Sequence, residues 1–64
     1  MFSYDSGKVF MLQIFIPERS PFTEVVPGNE LEAALAEYKN ICPKLNKIAV
    51  YDADTREAVG IFRP

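Results

Sequence analysis

Sixty-four residues, 48% of them hydrophobic, describe one small folded domain (1–64) rather than a disordered chain, and a chain of this size hides only about 60% of its unfolded surface. A single cysteine excludes an internal disulfide, and the absence of histidine removes the commonest general base and metal ligand. The formal charge of −2, spread over charges of alternating sign, supplies neither the basic stripe of a nucleic-acid surface nor the concentrated acidity of a nucleic-acid mimic.

Residues 1–7 form a lead-in that Ser6-Gly7 interrupts. Seven of the eight residues from Val9 to Ile16 are apolar, and residues 8–16 read as the first strand. The segment 17–21 is a turn, because neither of its two prolines can donate to a ladder. Residues 22–26, β-branched and aromatic, read as a second strand, stopped by Pro27-Gly28. Five intervening residues suit a β-hairpin.

A helix follows. Asn29 is placed as its N-cap, with Glu32 three residues later as the partner of a capping box, and Glu30 and Glu32 complement the positive end of the dipole. Leu31, Ala34, Leu35, Tyr38, Ile41 and Cys42 recur at helical spacing and form one apolar stripe. Pro43 ends the helix near Ile41. After the connector Lys44-Leu45-Asn46, residues 47–51 predict a third strand, Asp52-Ala53-Asp54-Thr55 a turn, and residues 56–62 a fourth strand, in which Gly60 marks a bulge or a close backbone approach. The fold class is therefore α+β in ββαββ order: an antiparallel sheet with one helix packed on one face.

Side chains of a strand alternate between two faces. Phe10, Leu12, Ile14 and Ile16 are assigned to the helix-covered face, joined by Ile48 and Val50 and by Val59 and Ile61 or their neighbours. The other face of the first strand then shows Val9, Met11, Gln13 and Phe15, and these four are the candidate partner-binding residues. Two readings compete for that face. Either it is an interface with a second copy or another protein, or an N-terminal arm carrying Phe2 and Tyr4 folds back over it. Gln13 is either a register-setting polar group within the interface or a solvated side chain. The first strand also has the composition of an aggregation-prone segment, flanked by Lys8 and by Pro17-Glu18-Arg19.

Chemistry-bearing groups are sparse. Asp52 and Asp54 suggest a turn, since the loop lacks the glycine and distal glutamate of a calcium-binding hand. Cys42 lies in line with the apolar stripe at a helix C-terminus, which favours a buried structural thiol. Glu30, Glu32 and Glu37 read as a solvated face or an acidic binding face. Tyr38 belongs to the core stripe, whereas Tyr4 and Tyr51 remain open as stacking groups. No catalytic residue, metal site or cofactor is expected, and neither nucleic acid nor membrane is an expected partner. The location expected from one unpaired cysteine and the lack of an export signal is cytoplasmic.

The small tautomerases are chains of similar length that use an N-terminal proline exposed after methionine removal. Phe2 stands at that position, so their activity is not implied. Length and element order are loosely similar to those of small bacteriophage proteins that bind and inhibit host enzymes, a likeness that involves no shared motif. The expected function is a non-enzymatic protein–protein interaction module, homodimeric through the free face or an edge of the first strand. The alternative is a small acidic inhibitor or accessory subunit, phage or mobile-element encoded, that docks the same face on a larger host enzyme.

Overall fold

The computed structural model describes residues 4–64. Four strands, β1 (Val9–Phe15), β2 (Phe22–Pro27), β3 (Lys47–Asp52) and β4 (Ala58–Phe62), form one antiparallel sheet in the order β2-β1-β3-β4. One helix, α1 (Leu31–Ile41), packs across one face. The ββαββ order and the α+β class read from the sequence are those of the structure. Among the described residues no helix is long and apolar enough to cross a membrane.

The expected core face is the buried one. Phe10, Leu12 and Ile14 of β1 cluster with Val26, Ile48 and Val50 of the neighbouring strands and with Leu31 and Leu35 of α1. Complete burial of a side chain of this size stabilises by about 1.5–3 kcal/mol, which makes this cluster the source of cohesion in a chain without disulfides. Ile16, past the end of β1, is only partly buried against it. Tyr4 packs edge-to-face on Phe10, with ring centroids 5.6 Å apart. The arm therefore places Tyr4 on the helix side of the sheet rather than over the opposite face. Phe2, the other half of that expectation, lies outside the described residues.

The start of the helix differs from the expected capping box. Gly28 N–H donates to the Lys8 carbonyl at 2.7 Å, which carries the β1–β2 ladder one residue past Pro27. A Cβ on Gly28 would lie 2.8 Å from the Ser6 backbone, so the chain is pinned there by close approach. It then turns through a single 3-10 turn, Gly28–Glu30, with Leu31 N–H bonded to the Gly28 carbonyl. Asn29 sits inside this turn, Glu30 becomes the N-cap residue, and no side chain caps α1. At the other end, Cys42 N–H still bonds to the Tyr38 carbonyl before Pro43 stops the helix.

The expected stripe is narrower than its spacing suggested. Leu31 and Leu35 are buried, and Ala34, Tyr38 and Cys42 pack partly against the core, but Ile41 is 63% exposed. Ile41, in the last turn of α1, borders a hollow with Glu24, Glu37 and Tyr38 and does not join the core cluster. The fourth strand begins at Ala58 rather than Arg56, because Arg56 adopts a left-handed backbone (φ 65°) within the turn. Val50 pairs with Gly60 and Tyr51 with Ala58, which leaves Val59 as the extra residue of a β-bulge beside Gly60.

Candidate interaction surface

The face of the sheet opposite α1 is built from the cross-strand rows that register dictates. Val25, Met11, Tyr51 and Ala58 form one row, and Thr23, Gln13, Ala49 and Ile61 the next. Phe15 lies opposite Lys47, and Val9 opposite Pro27. All four candidate residues of β1 thus share this face, but they are not equally open. Val9 is exposed, whereas Met11, Gln13 and Phe15 are half-buried by their cross-strand neighbours. The most exposed apolar groups belong to the flanking strands, Val25 at 62% and Ile61 at 50%. Val59 packs against the core as expected, but Ile61, expected on the helix-covered face, pairs with Ala49 on the open one, and its neighbour Phe62, opposite Ile48, takes the core side. Val25 was not among the candidates, although the alternation within residues 22–26 contains it.

Both backbone edges of β1 are taken, one by β2 and one by β3. Pairing of a partner with the edge of the first strand, one of the two expected routes to a dimer, therefore has no free edge to use. Among the described residues, the unpaired edges belong to β2 and β4.

The polar groups of the open face are few and locally engaged. Tyr51 Oη lies 3.5 Å from Gln13 Oε1 at the centre of the face, a long and weak hydrogen bond in which the hydroxyl donates. Lys47 Nζ sits 4.9 Å from the centroid of the Phe15 ring, in cation–π contact. Among the described residues, no carboxylate occurs in the rows of the open face, since Glu24 and Asp52 pair with Leu12 and Phe10 on the helix side; the open rows carry one formal charge, Lys47.

Asp52 is a structural carboxylate. Its Oδ1 accepts from Asp54 N–H at 2.8 Å and Thr55 N–H at 3.1 Å, and its Oδ2 takes the Lys8 ammonium at 3.1 Å. These donors, led by Thr55 N–H, hold the carboxyl below its ordinary range, and Asp52 in turn raises the Lys8 ammonium. The Asp52-x-Asp54 pair is thus the turn that its composition predicted. Among the described residues, no group of three or more carboxylates, thiols or imidazoles is placed to hold a metal ion.

On the helix side, Tyr38 Oη donates to Glu24 Oε1 at 3.0 Å, and its ring tilts against Phe22 with centroids 6.3 Å apart. Burial, then the adjacent Glu24 carboxylate, push the Tyr38 hydroxyl up to about 12. Tyr4 and Tyr38 both pack on the core and are not free stacking groups. Glu30 and Glu37 line hollows between β2 and α1, together with Glu24. Glu32, the third member of the acidic face read from the sequence, is exposed but does not line them.

Compared with known proteins, the chain matches no family model, no curated protein and no solved structure.

Proposed function

We propose that this chain is a non-enzymatic protein–protein interaction module that pairs with a second copy by packing the open sheet faces together. The observation that carries this reading is the uncovered apolar face formed by Val9, Met11, Phe15, Val25, Tyr51 and Ile61 on the side away from α1. Four strands about 4.8 Å apart and about 17–20 Å long present roughly 350 Å² in projection, within the size of the largest apolar patch of a typical monomer, which is often functional. Two such faces stack about 10 Å apart, as the layers of a β-sandwich do. Their combined area, about 700 Å², lies below the range of stable specific interfaces, so the dimer should be weak and in measurable equilibrium with monomer. One unpaired thiol suits the reducing conditions of the cytoplasm.

The second reading, a monomer that docks this face on a larger enzyme, is favoured by one observation. Lys47 is the only formal charge in the rows of the open face among the described residues, and the same rows of a second copy offer it no carboxylate. An acidic rim on a different protein would.

Light scattering after size exclusion, across a wide concentration range, tests the proposal. The expected mass rises toward twice 7.2 kDa with concentration in the wild type and stays at 7.2 kDa in Phe15→Glu, with unchanged circular dichroism. A wild-type chain that is monomeric throughout overturns the homodimer and leaves the second reading. A Phe15→Glu chain that still dimerises overturns the assignment of the face.

A further inference from the structure

The free edge of β2 has a property that its register discloses. Gly28 N–H bonds to the Lys8 carbonyl, and this pair lies in register with Phe10↔Val26 and Leu12↔Glu24. In an antiparallel ladder alternate residues turn their backbone groups toward the partner. Glu24, Val26 and Gly28 therefore bond to β1, while Thr23 and Val25 turn N–H and C=O outward. The outward positions on either side of these two are Pro21 and Pro27, which have no N–H. The edge is thus a short template with two donors, closed at both ends.

Beside that edge runs a groove between β2 and α1. It comprises two hollows of about 120 and 210 Å³ that share Glu24, Ala34 and Glu37, extended by Glu30 at one end and Ile41 at the other. No lysine or arginine lines it. The one ion pair among the described residues, Lys8–Asp52, lies elsewhere, so the groove carboxylates have no cationic partner. Glu30 and Glu37, seven residues apart on a helix rising 1.5 Å per residue, are separated by about 10 Å along its axis. They do not gather into a group that could hold a metal ion. Two successive same-face side chains of an extended chain, rooted about 6.7 Å apart, reach across a span of about 10 Å through the flexible stems of lysine or arginine.

We propose that an extended, basic segment of another protein adds to the free edge of β2, pairing with the backbone of Thr23 and Val25 and directing alternate lysine or arginine side chains into the groove lined by Glu24, Glu30 and Glu37. Backbone pairing supplies affinity in such strand addition, and the groove supplies the choice of side chain. The neutral Tyr38 hydroxyl, donating to one Glu24 oxygen, holds that carboxylate in place and leaves its second oxygen for the incoming cation. This site lies on the helix side of the sheet, so it does not depend on the dimer proposed above, and both copies of such a dimer would keep it open.

The test uses the full chain and two capped, fluorescent peptides of identical composition, one alternating Lys and Val, the other with its lysines in one block. Anisotropy titration should show the alternating peptide binding about tenfold more tightly, a difference of 1.4 kcal/mol. Glu30→Gln and Glu37→Gln should each weaken it by about two- to fivefold, as expected for an exposed ion pair. Amide exchange should slow at Thr23 and Val25 when the alternating peptide is added. Equal affinity for both peptides, absence of binding, unchanged affinity in both variants, or unaltered exchange at Thr23 and Val25 would each overturn the proposal.

Discussion

Lys8 and Asp52 stand 44 positions apart in the chain, yet the Lys8 ammonium lies 3.1 Å from Asp52 Oδ2. The pair ties the entry to β1 to the exit of β3, beside the backbone bond from Ala53 N–H to the Val9 carbonyl. Asp52 does two tasks at once, since its other oxygen holds the turn through Asp54 and Thr55 N–H. Replacing Asp52 with Ala should therefore destabilise the protein more than replacing Lys8 with Met, because the first change also orphans the turn donors. Urea unfolding of the two variants at neutral pH measures the order.

The same carboxylate predicts an acid-side pH dependence. Its folded-state pKa lies below the ordinary value of 3.8, so its contribution is complete above 3.8 and is lost as pH falls through the depressed value. The stability gap between wild type and Asp52→Asn should be constant near neutrality and close below about pH 4. Lys8 acts with the opposite sign: its raised pKa adds stability that is complete below 10.5 and lost as pH rises beyond it.

Tyr38 should ionise only near pH 12, above its ordinary 10.0, because burial and the Glu24 carboxylate both oppose the phenolate. Its contribution to stability is complete below pH 10 and disappears as pH rises toward 12. Near-ultraviolet difference absorbance should show this late step in the wild type, lose it in Tyr38→Phe, and move it to lower pH in Glu24→Gln.

Two residues of the same apolar stripe should behave differently. Leu35 is fully buried, and Leu35→Ala should cost about 2–5 kcal/mol. Ile41 is largely exposed, and Ile41→Ala should change stability by no more than about 0.5 kcal/mol. Chemical denaturation of both variants is the check.

Gly28→Ala should destabilise by about 1–3 kcal/mol. The added methyl would meet Ser6 backbone atoms at 2.8 Å, and backbone cannot swing aside as a flexible side chain can. A melting curve that matches the wild type would show that the 4–8 lead-in yields without cost.

The elements of this fold were legible because their signals are local. Alternation over residues 9–16 separated the Phe10-Leu12-Ile14 face from the Met11-Gln13-Phe15 face, and Pro43 marked the end of the helix. What escaped depended on distant neighbours. Asn29 carries a good cap signal, but the ladder bond at Gly28 and the crowding by Ser6 force a 3-10 turn through it. Ile41 fits the stripe by spacing, yet at the last turn of the helix it stays outside the core cluster. The interior place of β1, the part played by Val25 and Ile61 in the open face, and the meeting of Glu24 with Tyr38 all follow from strand order, which periodicity does not encode.

The order β2-β1-β3-β4 also bears on how the chain is made. β1 gains its first neighbour early, from a strand that follows it within a hairpin, but its second neighbour is β3, which emerges from the ribosome only after the helix. At synthesis rates of 5–20 residues per second, the stretch from Phe15 to Asp52 takes roughly 2–7 s. Throughout that interval the most apolar strand of the protein has one edge unpaired, and for its first part, until Ile41 is added, it lacks the helix that completes its core as well. Nascent chains stalled before β3 should therefore be the species that a chaperone binds and that aggregates, whereas the finished protein locks the same strand between two partners.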